Sequence, residues 1–146
     1  MRLSTKGRYG IRAMVVLASH YGRGPVSVRY ISEREDLSMD YIEQLFIKLK
    51  KRGLVKSIRG PGGGFLLARP PSKVKIGDII RSVEEPMALV PCIEDWKKCR
   101  TCPRYKGCII RVFWKRMGDR MIDVLDFTTL KDLCPEQEKV RSPDEK

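Results

Sequence analysis

Four of the five cysteines lie close together in the second half of the chain. They follow the spacing Cys92-x6-Cys99-x2-Cys102-x5-Cys108. Thiolates are ligands that both zinc ions and iron–sulfur clusters accept. Basic neighbours would favour the thiolate form; they are Lys97, Lys98, Arg100, Arg104 and Lys106. The spacing therefore predicts a metal or cluster site, and by itself it leaves zinc, an iron–sulfur cluster and simple thiol redox chemistry open.

A second set of candidate residues lies at the start of a predicted helix in the first half of the chain. It comprises Asp40, Tyr41, Glu43 and Gln44. A helix that enters the major groove of DNA carries hydrogen-bonding side chains near its N-terminus. Gln can form two hydrogen bonds with adenine, and a carboxylate can accept one from the cytosine amino group. A solvated helix face has a similar composition, but the basic residues nearby and the hairpin that follows favour DNA binding.

A glycine-rich turn, Arg59-Gly60-Pro61-Gly62-Gly63-Gly64, follows this helix. An arginine at the tip of such a turn can enter a narrow minor groove, where the negative potential is enhanced. Glycines such as Gly60 allow positive φ angles and a close approach of the backbone to DNA. An ordinary glycine-rich hairpin is the alternative. The candidate phosphate contacts are Arg2, Lys6, Arg8, Arg29, Lys50 and Lys51.

The net charge of +12 is concentrated in the first half of the chain. Residues 1–81 hold 17 Lys/Arg against 6 Asp/Glu, a balance of +11, whereas residues 82–146 hold 13 against 12, a balance of +1. A basic half of this kind indicates a polyanionic partner, here double-stranded DNA. No basic amphipathic helix dominates this half, which disfavours a membrane surface. The sequence has no apolar run of about 18 residues and no secretory signal, so we expect a cytoplasmic location.

Hydrophobic periodicity and turn residues predict the elements that position these side chains. We expect helices over about 6–21, 27–35 and 38–51, strands over 54–58 and 65–68, and a helix over 76–83. In the third helix Ser38 is the expected N-cap, and the apolar face is formed by Ile42, Leu45, Phe46 and Leu49. The fold class is therefore mainly α with a small β-hairpin. Three helices followed by a hairpin is the order of a winged helix-turn-helix, assigned to residues 1–83.

The second half is predicted to contain a cysteine-rich loop and one long helix. Residues 84–108 form the candidate cluster-binding loop, and the irregular pattern extends from 86 to 107. A helix over about 109–127 has more apolar surface than one small domain needs to cover, which favours a dimer interface over packing on its own domain alone. Residues 109–134 thus comprise this dimerisation helix and a short helix near 130–133, capped by Thr128 or Thr129. Residues 135–146 are a predicted disordered tail.

Several motifs together resemble the IscR-type iron–sulfur cluster regulators, a family of winged-helix transcription regulators. They are MRLSTKGRYG, ISEREDLS, YIEQLF and GLVKSIRGPGGGFLL. The match runs almost without gaps to Cys92 and resumes with C-x5-C and an aromatic residue at Trp114. The resemblance implies a homodimer formed through the long helix, and promoter recognition through Glu43, Gln44 and Arg59. Where the family's recognition helix often has Ser, this chain has Asp40.

The resemblance also implies a [2Fe–2S] cluster held by three cysteines and one histidine. Cys92, Cys102 and Cys108 match the three cysteines, but the histidine position falls on Arg111, which cannot be a ligand. We expect Cys99 to replace it, giving ligation by four cysteines. The alternative fourth ligand is Glu94, Asp95 or a residue of the partner chain. His20, the single histidine, is expected to lie away from the loop, and Cys134 is expected to be a packed or free thiol.

The sequence thus predicts a homodimeric DNA-binding regulator that senses iron–sulfur supply or redox state, and that receives its cluster from the iron–sulfur assembly machinery. Glu43 would discriminate between promoters, because a carboxylate disfavours sites that offer it only acceptors. The alternatives are a cluster-free repressor of cysteine metabolism on the same fold and a zinc- or thiol-responsive regulator. An enzyme is disfavoured because the chain has one histidine and no nucleotide-binding loop or paired catalytic motif.

Overall fold

The computed structural model describes residues 4–83, 87–94 and 102–134. Two groups of elements follow one another along the chain. The first is α1 (Thr5–Ser19), α2 (Val28–Glu35), α3 (Met39–Lys51), β1 (Val55–Ile58), β2 (Gly64–Leu67) and α4 (Ile76–Ser82). The second is α5 (Pro91–Glu94) and α6 (Ile109–Phe127), after which residues 130–134 are also helical. No helix among the described residues is long and apolar enough to cross a membrane.

The first three helices begin at serine caps. The side-chain oxygens of Ser4, Ser27 and Ser38 accept hydrogen bonds from backbone N–H groups of the first turn of α1, α2 and α3. Each cap pairs a donor that the helix itself leaves unbonded. The helices therefore start where the sequence predicts, to within a residue.

The core lies between α1, α3, α4 and the hairpin. The four residues of the apolar face of α3 are all buried, as predicted, and Phe46 also stacks against Phe65 of β2 at 4.6 Å between ring centroids. In α1, Gly10 faces α4, where a Cβ would lie 3.4 Å from Val83 Cγ1 and 3.6 Å from Ile79 Cγ2. The two helices are therefore in close contact at this position.

The turn between α2 and α3 is the tight connection of a helix-turn-helix. Asp36 adopts a left-handed conformation with φ of 54°, which ends α2. Asp tolerates this conformation better than most residues. The Leu37 N–H then donates to Ser32 O at 3.1 Å, and the Ser32 hydroxyl donates to Leu37 O. These bonds attach the turn to the end of α2.

The hairpin, which we call the wing (residues 55–67), is antiparallel with Val55 opposite Leu67 and Ile58 opposite Gly64. Val26 forms an isolated bridge to β2, since its N–H and C=O both bond to Phe65 at 2.8 Å. Gly64 permits this pairing, because a Cβ there would lie 2.1 Å from Val26 O. The wing is thereby attached to the segment that leads into α2.

The end of α6 returns to the first group of elements. Asp126 accepts two hydrogen bonds of 2.8 Å from the guanidinium of Arg81 in α4. The backbone continues this contact, because Ile76 N–H donates to Thr128 O and Leu130 N–H to Val74 O, both at 3.0 Å. Leu130 is fully buried. The C-terminal end of α6 is thus fastened to α4, whereas the helix itself extends away with most of its residues exposed.

The predicted winged helix-turn-helix is confirmed, with changes at several boundaries. The first helix ends at Ser19 rather than Tyr21, because His20 and Tyr21 donate to the carbonyls three residues back and form a turn. The strands are shifted to 55–58 and 64–67, since the ladder begins where Val55 pairs with Leu67 and ends where Ile58 pairs with Gly64. The predicted irregular stretch contains the short helix α5, while the bounds predicted for α6 are confirmed. The predicted tail from residue 135 lies outside the described residues.

Candidate nucleic-acid interface

The face of α3 opposite the core is exposed and mostly polar. Asp40, Glu43 and Gln44 all lie on it, together with Lys51 about two to three turns further along. Glu43 and Gln44 follow Asp40 by three and four residues, and Lys51 follows Gln44 by seven, so all four share one side of the helix. The structure therefore brings three of the four predicted base-contacting residues onto one surface.

Tyr41 differs from its three neighbours. Its ring is half buried and meets Tyr9 of α1 edge-on, with ring centroids 6.0 Å apart. The guanidinium of Arg12 lies 5.5 Å from the Tyr9 ring centroid. Tyr41 therefore supports the packing of α3 on α1, and only part of its surface remains available to a ligand.

The tip of the wing presents Arg59 and Gly60 to solvent. Gly60 has φ of 101°, a conformation that non-glycine residues rarely adopt. Gly63 is required for a second reason, because a Cβ there would lie 2.2 Å from Ile58 O. The wing is also tied to α3, since Lys50 Nζ donates to Ser57 Oγ at 2.7 Å. The helix face and the wing tip are thus connected as parts of one surface.

The remaining predicted phosphate contacts are exposed where the structure describes them. Lys6 and Arg8 lie in the first turn of α1, and Arg29 lies at the start of α2, where it forms a salt bridge with Glu33 at 3.0 Å. That pair is largely solvent-exposed, so its free energy is small. Arg2 lies outside the described residues.

An ion pair that the sequence did not predict fastens α1 to α2. Glu35 is buried, and its Oε2 accepts a hydrogen bond of 2.7 Å from Arg12 Nε. A buried carboxylate without a partner would be strongly destabilising. The periodicity of α2 could have indicated it, because Glu35 follows Ile31 by four residues and therefore falls on the buried face.

The predicted cluster ligands are only partly described. Cys92 in α5 and Cys108 at the N-cap of α6 are half buried, Cys102 is exposed, and all three are free thiols. Cys99 and Asp95 lie outside the described residues, as does the Glu94 side chain. Within residues 4–83, 87–94 and 102–134, no group of three or more His, Cys, Asp or Glu side chains is arranged to hold a metal ion. Four-cysteine ligation therefore stays a prediction.

Arg111 and His20 have other contacts. The guanidinium of Arg111 lies 5.5 Å from the Tyr105 ring centroid, which links α6 to the segment between Cys102 and Cys108. The His20 Nδ1 lies 2.9 Å from Val16 O, and the ring meets Tyr30 edge-on at 5.1 Å. His20 follows α1 rather than lying within it, beside a cavity of about 470 Å³ at the base of the wing.

Helix α6 exposes a broad apolar surface. Gly118 is its only buried residue among those described. The exposed apolar residues are Ile109, Ile110, Val112, Phe113, Met117, Val124 and Phe127. Packing on its own chain therefore leaves most of the apolar surface of this helix uncovered.

The chain matches known regulators over almost its whole length. A family model for Rrf2, described as an iron-dependent transcriptional regulator, matches residues 3–136. The regulator IscR of Erwinia tasmaniensis is 40% identical over 138 residues, which cover 94% of this chain and 81% of that protein. The regulator CymR of Bacillus subtilis is 43% identical over 134 residues, covering 92% of this chain and 90% of that protein.

Solved structures of regulators with these two names are also similar to this chain. The structure of CymR, described as the global cysteine regulator of B. subtilis, has a TM-score of 0.79 and 41% identity, covering 93% of this chain and 98% of that one. T. potens IscR has a TM-score of 0.78 and 39% identity, covering 99% and 93%. Both named relatives are transcriptional regulators, which agrees with the prediction of a non-enzymatic function. The chain belongs to the Rrf2 family of transcriptional regulators.

Proposed function

We propose that this regulator binds operator DNA through the exposed face of α3 in the major groove and through Arg59 in the adjacent minor groove. The observation that carries this proposal is the shared surface of α3 and the wing, joined by the hydrogen bond between Lys50 and Ser57. A helix presenting Glu43 and Gln44 supplies hydrogen-bonding groups to base edges, and the wing tip supplies a cation. Exposed Lys and Arg around this surface supply phosphate contacts.

The test is operator selection from a library of random DNA duplexes, followed by titration of the selected site. We expect an enriched sequence, and an affinity that falls steeply with salt because bound cations displace counterions. Gln44→Ala should lower affinity for the selected site by about 1–3 kcal/mol and relax the preference at one base pair. Lys131→Ala, an exposed residue near the end of the described chain, is the control. No enriched sequence would contradict the proposal.

We propose further that two chains dimerise through α6. The support is its exposed apolar surface, in which Ile109 and Phe127 are each 84% exposed. Covering such residues removes apolar area from water at about 25 cal/mol per Å². Phe113→Asp should convert a dimer to a monomer in sedimentation experiments, because it would place a charge in the interface. Lys115→Asp, on the polar side of the same helix, should not.

For the effector we propose a [2Fe–2S] cluster. The chemistry of the donor set fits it, because Cys92, Cys102 and Cys108 are free thiols and Cys99 is a fourth donor in the same stretch. When bound, such a cluster supplies a redox-active centre with its own visible absorption. The residues of this chain would act by holding the start of α6: Cys108 is its N-cap residue, and Arg111 contacts Tyr105 between two of the cysteines. Cluster binding and DNA binding would then be linked reciprocally.

A cluster-free regulator of cysteine metabolism is the second candidate. It is favoured by the similarity to the global cysteine regulator of B. subtilis. Protein purified without oxygen distinguishes the two candidates. Visible charge-transfer absorption that is lost when Cys92, Cys102 and Cys108 are changed to Ala supports the cluster. Colourless protein whose operator affinity is unchanged by these substitutions supports the second candidate, and colourless protein containing zinc supports a zinc-responsive regulator.

A further inference from the structure

One apolar side chain interrupts the polar face of α3. Ile47 is 64% exposed, although the buried residues of the same helix are at most 3% exposed. It lies three residues after Gln44 and four before Lys51, so it occupies the middle of the exposed face. Single exposed apolar residues are common on protein surfaces. The position of Ile47 is nevertheless specific, because it is opposite the core and among the residues that face DNA in the function proposed above.

The surroundings of Ile47 favour a nucleic-acid contact over a protein contact. Lys51 and Lys50 are exposed on the following turn, and Lys50 is tied to the wing through Ser57. A polyanion is attracted to such a surface, whereas an apolar protein partner would have to desolvate these cations. The major groove offers one apolar group, the C5-methyl of thymine. An isoleucine side chain can cover that methyl but cannot hydrogen-bond to a base edge.

We propose that Ile47 is a specificity-determining residue that contacts a thymine methyl group in the major groove. This inference rests on the DNA-binding function proposed above. Residues 44 and 47 are about 4.5 Å apart along the helix axis, and successive bases are about 3.4 Å apart. The thymine therefore lies about one or two base pairs from the base that Gln44 contacts.

The experiment replaces each thymine of the selected operator, one at a time, with deoxyuridine, which removes only the methyl group. Binding is measured by fluorescence anisotropy for the unmodified protein, Ile47→Ser and Ile47→Val. At one thymine of each half-site we expect deoxyuridine to weaken binding by the unmodified protein about fourfold. This factor corresponds to the free energy of burying one methyl group. Ile47→Ser should bind both duplexes equally, whereas Ile47→Val, which keeps a β-branched apolar surface, should retain sensitivity to the methyl.

Ile58→Ser is the matched control, because Ile58 is also an exposed isoleucine, at 48%, but lies on the wing. It should leave the methyl effect at that thymine unchanged. If an operator is enriched and yet no thymine loses its methyl effect in Ile47→Ser, this inference is wrong while DNA binding stands. A change of oligomeric state in Ile47→Ser without any methyl effect would also overturn it, in favour of a protein contact. If no operator is enriched, the proposed function itself fails.

Discussion

Phe46 and Phe113 both lie on amphipathic helices, yet Phe46 is fully buried and Phe113 is 56% exposed. The first belongs to the basic region, residues 4–83, in which helices and wing cover one another's apolar faces. The second belongs to the C-terminal region, residues 87–94 and 102–134, whose long helix contacts α5 and, at its C-terminal end, α4. The core of the basic region is therefore covered largely by its own elements, with Leu130 added from the C-terminal region, whereas α6 exposes apolar surface that the described residues do not cover.

The two regions also differ in how polar groups are fixed. In the basic region the predicted DNA-facing residues are positioned by helix caps, a left-handed Asp36 and the hydrogen bond from Lys50 to Ser57. In the C-terminal region, Cys102 is exposed and Cys92 and Cys108 are only half buried. The proposed DNA-binding surface is therefore fixed by contacts between elements, whereas the thiols of Cys92, Cys102 and Cys108 remain at least partly exposed.

The largest expected effect tests the difference in packing. Phe46→Ala should lower the free energy of unfolding by about 3–5 kcal/mol, because it removes a fully buried ring and leaves a cavity. Phe113→Ala should change the unfolding of a monomer by at most about 0.5 kcal/mol, since the ring is exposed, and should weaken dimerisation instead. Urea denaturation and sedimentation measure the two quantities. Similar losses of unfolding free energy with no change in oligomeric state would contradict the comparison.

The next effect tests where DNA binds. Arg59→Ala should weaken operator binding by about 1–3 kcal/mol, roughly tenfold to a hundredfold, because it removes the cation at the wing tip. Arg104→Ala makes the same charge change at an exposed position of the C-terminal region and should alter affinity much less. Anisotropy titrations at one fixed salt concentration give both values. Equal losses would mean that the C-terminal region contacts DNA as well.

A smaller effect tests the junction between the regions. The bidentate hydrogen bonds from Arg81 hold the pKa of Asp126 below its ordinary value of 3.8. A carboxyl group whose pKa is lower in the folded state stabilises the fold above its unfolded pKa, and the stabilisation is lost as pH falls through the folded pKa. Asp126→Asn should therefore lower the free energy of unfolding at neutral pH by about 1 kcal/mol, a value limited by the partial exposure of the pair. It should also make the stability fall less steeply below about pH 4.

Asp119→Asn is the control for the junction. Asp119 pairs with Lys115 at 2.9 Å within α6, and both side chains are more than half exposed. Loss of this pair should lower the free energy of unfolding by at most about 0.5 kcal/mol. Chemical denaturation over a pH series measures both variants. If Asp119→Asn flattened the acid decline as much as Asp126→Asn, the contact with Arg81 would not be what fastens α6.

The smallest effect concerns the cysteines. Cys102→Ser should change the unfolding free energy of metal-free protein by less than about 0.5 kcal/mol, because its side chain is exposed. After anaerobic reconstitution with iron and sulfide, the free energy of unfolding of the unmodified protein should rise by an amount that grows with the logarithm of its cluster affinity. The variant should gain much less. A large loss in metal-free protein would instead indicate a packing role for Cys102.

Local features of the fold were predictable from the sequence. The buried stripe of α3, its cap at Ser38 and the bounds of α6 follow from periodicity and capping residues. Contacts between distant segments were not predictable in this way. The pairing of Val26 with Phe65 and the bond from Arg81 to Asp126 join residues far apart in sequence, and no local pattern records them. Gly77 is an example. A glycine inside a helix such as α4 is normally destabilising, but a Cβ at this position would lie 2.0 Å from Asp126 Oδ1, so only glycine leaves room for the ion pair with Arg81.

By itself, then, the sequence determined the charge division between the two halves, the order of the elements and the apolar faces of the helices, because these depend on composition and on spacing within a few residues. The tertiary structure decided which polar groups meet. It joined the wing to α3 and fastened the end of α6 to α4. Such contacts depend on the packing of whole elements, whose relative orientation is set by close approaches and long-range pairing.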